Sequence, residues 1–361
     1  MPAPFTYQWL SLGANGKTRF MPDLTAIVLA AGLGKRMKST LPKVLHSCAG
    51  RPLVEYPVRA AFEAGAGRVV VVASPETRDP IQRDLAAEYG ADRVLVTVQH
   101  PPRGTGDAAR VGLQAVSSAR VLILCGDTPL LTADDLGSLV AAQAGSPLAV
   151  LGAVLEDPTG YGRIVRDERG RVTEIREHRD CTDEQRAVRE VNAGVYAVDV
   201  AFLRASLGRL TPSNAQGEYY LTDVVAMAAE SGGAVGVVGS RDSLLGVNDR
   251  WQLAEAEALL FARVARGHAE AGVTVRPGAC IEDTVTFAGD ATVGANVHLR
   301  GATRVGVGAT IDVGCVVTDA VIGDGAALGP FTIVHRGEVA AGVRTEPHTV
   351  VGAPYGSVAS E

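Results

Sequence analysis

The sequence predicts two architectures in one chain: an α/β domain with a mostly parallel sheet, followed by a short parallel β-helix. Three observations lead there. From residue 23 to about 247, strand-sized apolar runs alternate with amphipathic stretches, the pattern of a parallel sheet covered by helices. From Val275 onward an apolar residue returns every six positions, and a short fixed period belongs to solenoids whose coils stack on one another. The length of 361 residues suits two or three domains at roughly 100 to 200 residues each. The 42 glycines exceed the roughly 25 that a usual share of about 7 % would give, so the chain is turn-rich.

In chain order, residues 1–22 read as a loose tail: Lys17 and Arg19 follow its only hydrophobic patch, the reverse of a secretory signal, and Met21 could be the true start. Strands are expected over 25–30, 68–73, 94–98, 121–124, 149–155 and 191–198. A helix should start at Asp107, and another after Thr132-Ala-Asp-Asp135, which has capping-box spacing. The first domain then spans 23–247. A connecting helix over 248–270 follows, with Asn248-Asp249 as cap, Leu253, Ala256, Leu260 and Val264 on one face, and Arg263 and Arg266 before Gly267 at its end. Val275, Ile281, Phe287, Val293, Leu299, Val305, Ile311 and Val317 keep the step of six, and Ile322, Leu328 and Val334 resume it after one step of five. The β-helix is placed over 271–350 and a tail over 351–361.

Composition removes several classes. At 47 % apolar and 20 % charged residues the chain is globular. A net charge of -6, from 34 basic and 40 acidic residues, offers no overall attraction to nucleic acid or to anionic membranes. No apolar run approaches the roughly 18 residues of a membrane helix. Five scattered cysteines without a CxxC pair read as free thiols of a reducing, cytoplasmic setting.

Three segments carry candidate chemistry. Leu29-Ala-Ala-Gly-Leu-Gly-Lys-Arg-Met37, followed by Leu41-Pro-Lys-Val-Leu45, comes directly after the first strand; small residues let backbone amides approach a phosphate and the cations neutralise it. It matches neither common glycine loop, and a plain tight turn with solvated cations reads it equally well. Val121-Leu-Ile-Leu-Cys-Gly-Asp127 puts a carboxylate at a strand's carboxyl end, where ligands of open α/β sheets gather, although an Asp there is more often a turn former. Asp127 with one amide oxygen would suffice for magnesium, which fills its octahedron with waters and substrate phosphates. Gln99-His-Pro-Pro-Arg-Gly-Thr-Gly-Asp107 can wrap an edge-reading Gln around a base, or serve as loop punctuation. The seven histidines are dispersed and none accompanies an obvious nucleophile.

With Asp157-Pro-Thr-Gly-Tyr-Gly-Arg-Ile164, Glu190-Val-Asn-Ala-Gly194 and Asn214-Ala-Gln-Gly-Glu-Tyr-Tyr-Leu-Thr-Asp223, these segments resemble the uridylyltransferase half of bacterial bifunctional N-acetylglucosamine-1-phosphate uridylyltransferases/glucosamine-1-phosphate acetyltransferases, over about residues 23 to 343. The resemblance implies a Rossmann-like nucleotidyltransferase domain and a left-handed parallel β-helix of hexapeptide repeats associating as a homotrimer. It implies that UTP and N-acetylglucosamine 1-phosphate give UDP-N-acetylglucosamine and pyrophosphate with Mg2+, for cell-wall precursor synthesis. Leu29, Ala30, Ala31, Gly32, Gln99, Gly104, Thr105, Cys125 and Gly126 would hold the nucleotide. Arg36 and Lys43 would contact its phosphates as the catalytic pair, Asp127 and Asn248 would be metal ligands, and Gly162, Glu177, Asn192, Tyr220 and Thr222 would surround the sugar.

The pattern departs from the family at Pro102 and Arg103, which replace a Gln-Leu pair, at Asp107, which replaces a His, and at Cys125, which replaces a Tyr. Neither His335 nor His348 sits in the family's acetyltransferase motif, and the chain ends 18 residues after the last matching coil at 343; no acetyl transfer from acetyl coenzyme A is expected. The rivals are a nucleotide-sugar sensor without turnover, a structural module built on the β-helix, and a thymidylyl- or glucose-specific pyrophosphorylase.

Overall fold

The structure, a computed structural model, describes residues 21–32, 34–240, 242–244 and 246–353. Most of the expected amino-terminal tail, with Lys17 and Arg19, and residues 354–361 of the carboxyl-terminal tail lie outside the described residues. The chain divides into two compact units. The first holds residues up to His46 and Leu53–Asp249; the second holds Ser47–Pro52 and Arg250–Glu361.

The strands up to residue 249 are β1 (Met21–Ala30), β2 (Ser47–Cys48), β3 (Arg51–Pro52), β4 (Ala66–Ala73), β5 (Val94–Val98), β6 (Arg120–Cys125), β7 (Leu148–Val154), β8 (Arg163–Arg166), β9 (Val172–Arg176), β10 (Glu190–Asp199) and β11 (Ala234–Val238). The helices are α1 (Glu55–Glu63), α2 (Pro75–Tyr89), α3 (Thr105–Leu113), α4 (Ala133–Ala142), α5 (Asp183–Arg186), α6 (Val200–Leu207), α7 (Asp223–Ser231) and α8 (Arg250–Glu270). All six expected strands form. The expected capping box opens α4, where Thr132 accepts from Asp135 N and the Asp135 side chain reaches back. Helix α3 starts at Thr105, two residues before the expected Asp107.

In the first unit nine strands form one sheet in the order β5-β4-β1-β6-β10-β7-β11-β9-β8. It is parallel from β5 to β6, and β10 enters antiparallel between β6 and β7. Both faces are covered, as the strand period of two requires: Ala26, Val28, Val69 and Val71 pack with Val58, Leu85 and Leu136 on one side, and Ile27, Val70 and Val72 pack with Ala109, Leu203 and Val224 on the other. From β1 the chain first adds β4 and β5 on one flank and then β6 on the other. The carboxyl ends of β1 and β6 therefore flank the topological switch point, the place where such sheets open a ligand crevice.

In the second unit β2 and β3 pair as a hairpin, and Ala49 N donates to Glu257 Oε1 of α8 at 3.0 Å. Helix α8 buries Ala256 and Leu260 from the expected face. It runs through Gly267 to Glu270; Gly272, at φ +100°, takes the left-handed position after it, with its N–H on Ala269 O at 3.1 Å. The repeats then wind through three short parallel sheets, and each coil before the last gives one strand to each sheet in turn. The ladders stack Val275, Val293, Ile311 and Leu328; Ile281, Leu299, Val317 and Val334; and Phe287, Val305 and Ile322. This is the expected hexapeptide-repeat β-helix. It continues past Val334: Val339 stacks under Ile322 and Val351 under Val334.

Candidate active site

The loop after β1 and the end of β6 meet at the switch point. Leu29 is in register with Cys125, and Gly126 N donates to Leu29 O at 2.9 Å. A Cβ on Gly126 would lie 3.1 Å from Ala30 Cβ, so the two backbones leave room for little else. Leu29, Ala30, Ala31 and Gly32 carry the chain out of the carboxyl end of β1; Ala30 and Ala31 are buried and Gly32 is exposed. Gly34, at φ +55°, is required twice over: its backbone is left-handed, and a Cβ would meet Lys43 Cβ at 2.5 Å.

Four residues from distant segments converge here. The Lys43 ammonium pairs with Asp127 Oδ2 and lies 3.5 Å from Asn248 Oδ1. Arg36 Nη2 donates to the same Asn248 oxygen at 2.8 Å. The backbone fixes the meeting, since Val247 N donates to Asp127 O at 2.8 Å. Lys43 and Asp127 keep 13 % and 20 % side-chain exposure, open enough to exchange partners with a ligand. His46, close by in sequence, sets a ring nitrogen 3.2 Å from Leu41 O and serves the loop.

The donor set suits a small divalent cation. Asp127 and Asn248 offer two hard oxygens that already share one positive charge, the Lys43 ammonium. Among the described residues no group of three or more His, Cys, Asp or Glu gathers for a metal, and magnesium typically takes only one or two protein oxygens. Cys125 Sγ is turned to Gly194 O at 3.5 Å; burial, with Asp127 adding, pushes its thiol up to about 12, so it stays protonated. Tyr161, which the sequence reading did not single out, senses the same centre: burial raises its phenol, Asp127 adds and Arg36 opposes.

Gln99 and the loop that follows it form a second group. Gln99 is 4 % exposed and its Nε2 donates to Gly104 O at 3.1 Å and to Asp107 Oδ2 at 2.9 Å. The loop is braced by the segment before α7: Gly106 N donates to Tyr219 O, Tyr219 N to Arg103 O, and Leu221 N to Thr105 Oγ1. Thr105 therefore spends its hydroxyl oxygen on the scaffold. Gly104, at φ +103°, could carry no Cβ, which would lie 2.6 Å from Tyr219 O.

In a third group, Gly162 O accepts from Asn192 N at 2.8 Å, and a Cβ on Gly162 would lie 3.5 Å from Glu177 Oε1. Thr222 donates to that Glu177 oxygen at 3.2 Å. Burial raises the Glu177 carboxyl, the Thr222 hydrogen bond opposes this, and Asp180 and Asp223 add to it. Asn192 sits at a bulge in β10, its Oδ1 taken by Gly194 N and its Nδ2 donating to Tyr196 Oη. Tyr220 donates to Gln216 Oε1 at 3.0 Å. Arg163, 1 % exposed, was also missed; it donates to Tyr161 O and lies 3.2 Å from His178 Nδ1. A buried cation in a strand has no signature in local sequence.

Comparison with known proteins agrees with this layout. Residues 26–192 match the MobA-like NTP transferase domain. The chain is 50 % identical over 333 residues to the bifunctional protein GlmU of Sorangium cellulosum, covering 90 % of this chain and 70 % of that protein. It is 45 % identical to the bifunctional protein GlmU of Anaeromyxobacter dehalogenans over 91 % of this chain and 68 % of that one. Against the bifunctional protein GlmU of Caldanaerobacter subterraneus it is 40 % identical, over 86 % and 72 %.

Proposed function

Because the chain belongs to the bifunctional GlmU family and is a sugar-1-phosphate nucleotidyltransferase, we propose that it transfers uridylyl from UTP to N-acetylglucosamine 1-phosphate, giving UDP-N-acetylglucosamine and pyrophosphate. The observation that carries this reading is the convergence of Arg36, Lys43, Asp127 and Asn248 at the switch point.

The sugar phosphate oxygen attacks the α-phosphorus of UTP; the bond from that phosphorus to the bridging oxygen breaks, and the electron pair leaves with pyrophosphate. A phosphomonoester with a second pKa of roughly 6 is already ionised at neutral pH, so no general base is needed and no covalent enzyme intermediate forms. What remains is to hold two anions in line. Lys43 and Arg36 turn from Asp127 and Asn248 toward the phosphates and offset their charge, while amides of Leu29 to Gly32 approach the nucleotide. A divalent cation held by Asp127 and Asn248, for which we propose magnesium, would supply further charge neutralisation. Gln99, Gly104 and Thr105 frame the base, Cys125 and Gly126 back the nucleotide, and Gly162, Glu177, Asn192, Tyr220 and Thr222 enclose the sugar.

We assign no acetyl transfer to His335 or His348: His335 stands in a ladder with Thr318 and Gly352, and His348 stacks on Phe331 at 5.3 Å. The test is pyrophosphate release across a matrix of nucleoside triphosphates and sugar 1-phosphates, with magnesium omitted as control. UTP with N-acetylglucosamine 1-phosphate should lead, and acetyl coenzyme A with glucosamine 1-phosphate should free no thiol. Release that is absent in every well would favour the sensor.

A homotrimer through the β-helix is part of the proposal, supported by the exposed Val307, Val321, Phe331, Val343 and Val350 of its coils. A solution mass equal to the 37.4 kDa of one chain would overturn it. All five cysteines are free, and among the described residues no helix is long and apolar enough to cross a membrane. These observations support the cytoplasm as its setting.

A further inference from the structure

Gln99 has only two side-chain N–H bonds, and both are spent. One goes to Gly104 O at 3.1 Å and the other to Asp107 Oδ2 at 2.9 Å. Gly104 O and the Asp107 oxygen can only accept from it, so turning the amide over would set Gln99 Oε1 against two acceptors. The orientation is thus fixed by chemistry. No described residue donates to Oε1, which leaves Gln99 a single group to offer a ligand, an acceptor. Asp107 is itself held: Arg110 Nη1 lies 3.4 Å from its other oxygen, Arg110 Nη2 donates to Leu207 O at 3.1 Å, and the Arg110 guanidinium lies over the Tyr219 ring at 5.1 Å.

We propose that Asp107 is the positioning residue that makes Gln99 an obligate acceptor, so that the site selects the N3–H imide edge shared by uracil and thymine and rejects cytosine. The inference rests on the uridylyl reading and deepens it. In uracil and thymine N3 carries a hydrogen that Gln99 Oε1 accepts. In cytosine N3 is a lone pair, and it would face Oε1 with no hydrogen between them. A site built to hydrogen-bond one edge discriminates strongly against the inverted one, because its buried polar group is left unpaired. In this chain the side chain that holds Gln99 as an acceptor is Asp107, one of the positions that depart from the family pattern.

The test measures pyrophosphate release with UTP, dTTP and CTP at fixed N-acetylglucosamine 1-phosphate, for the wild type and for Asp107→Asn and Asp107→Ala. In the wild type, kcat/KM for UTP should exceed that for CTP by about 100-fold or more. Asp107→Asn can donate to an inverted Gln99 Oε1 and leaves Gly104 O as the one acceptor opposed to inversion, so the UTP to CTP ratio should narrow by about 10-fold or more, and the dTTP to CTP ratio with it. Asp107→Ala should narrow both ratios as well. Each ratio is taken on one enzyme sample, so partial unfolding cancels. A wild type active on UTP whose ratio is unmoved in both variants overturns the role of Asp107 alone. A wild type that accepts CTP as readily as UTP overturns the imide rule. A wild type that releases nothing from UTP with any sugar phosphate removes the uridylyl reading and this inference with it.

Discussion

On the phosphate side of the proposed site, Arg36, Lys43, Asp127 and Asn248 contact one another across 84 to 212 positions of sequence. On the proposed sugar side, the side chains of Asn192 and Tyr220 hydrogen-bond to residues no more than four positions away. In the first group the Lys43 ammonium pairs with Asp127, and Lys43 and Arg36 share the Asn248 amide oxygen. In the second group the Asn192 side chain closes the β10 bulge on its own backbone, and the Thr222 hydroxyl donates to the Glu177 carboxylate 45 positions away. The contrast separates two uses of polar atoms. In the proposed site the phosphate-side groups are charges that would trade partners when a ligand arrives, whereas the side chains of Asn192, Tyr220 and Thr222 are already paired within the protein.

The sharpest way to break the comparison is Asp127→Ala. If Asp127 serves chemistry and not architecture, kcat should fall by about 1,000-fold or more, while UTP affinity shifts far less and the melting temperature moves only slightly. Steady-state pyrophosphate release with calorimetric UTP binding and a thermal melt checks all three. Near-normal turnover would remove Asp127 from the mechanism. A collapse of stability would place it with the sugar-side residues and erase the distinction.

How much of this was legible in sequence depended on range. β1, β4, β5, β6, β7 and β10 were visible because they are apolar runs between polar stretches. β8 and β9 were not, since Arg163, Arg166, Glu174 and Arg176 interrupt their apolar residues, and in β11 Gly236 dilutes the pattern. The β2-β3 hairpin was invisible: Ser47-Cys-Ala-Gly-Arg-Pro52 has no alternation, and its partners Glu257 and Asp283 are more than 200 positions away. The repeat was legible as far as Val334. After it, a second step of five to Val339 and a half-buried Thr345 where an apolar residue was due hide the remaining positions, and Val351 ends the ladder under Val334. The glycine loop announced itself by composition. The meeting of Lys43 with Asp127 and Asn248 did not, because no local pattern relates residues that only the sheet's switch point brings together, and the family resemblance alone pointed to it. The coupling of Gln99 to Asp107 lies between these cases: both were in view within one loop, but the amide's orientation needs coordinates.

A finer probe of the sugar wall is Glu177→Gln, read as stability against pH. Burial raises the Glu177 carboxyl in the folded protein, and Asp180 and Asp223 add to it against the Thr222 hydrogen bond. The folded state therefore binds this proton more tightly than the unfolded chain does. The stability contributed by the protonated form is fully present below the unfolded carboxyl value of about 4.3 and is lost as pH rises through the higher folded value. Glutamine cannot lose a proton, and its amide keeps an oxygen for Thr222 to donate to. The melting temperature of the variant relative to wild type should accordingly be near its baseline at about pH 4 and climb toward neutrality. A difference that stays flat from acid to neutral pH would mean that the buried carboxylate carries no desolvation cost. Glu177 would then resemble the solvent-exchanging charges of the phosphate side more than the wall it stands in.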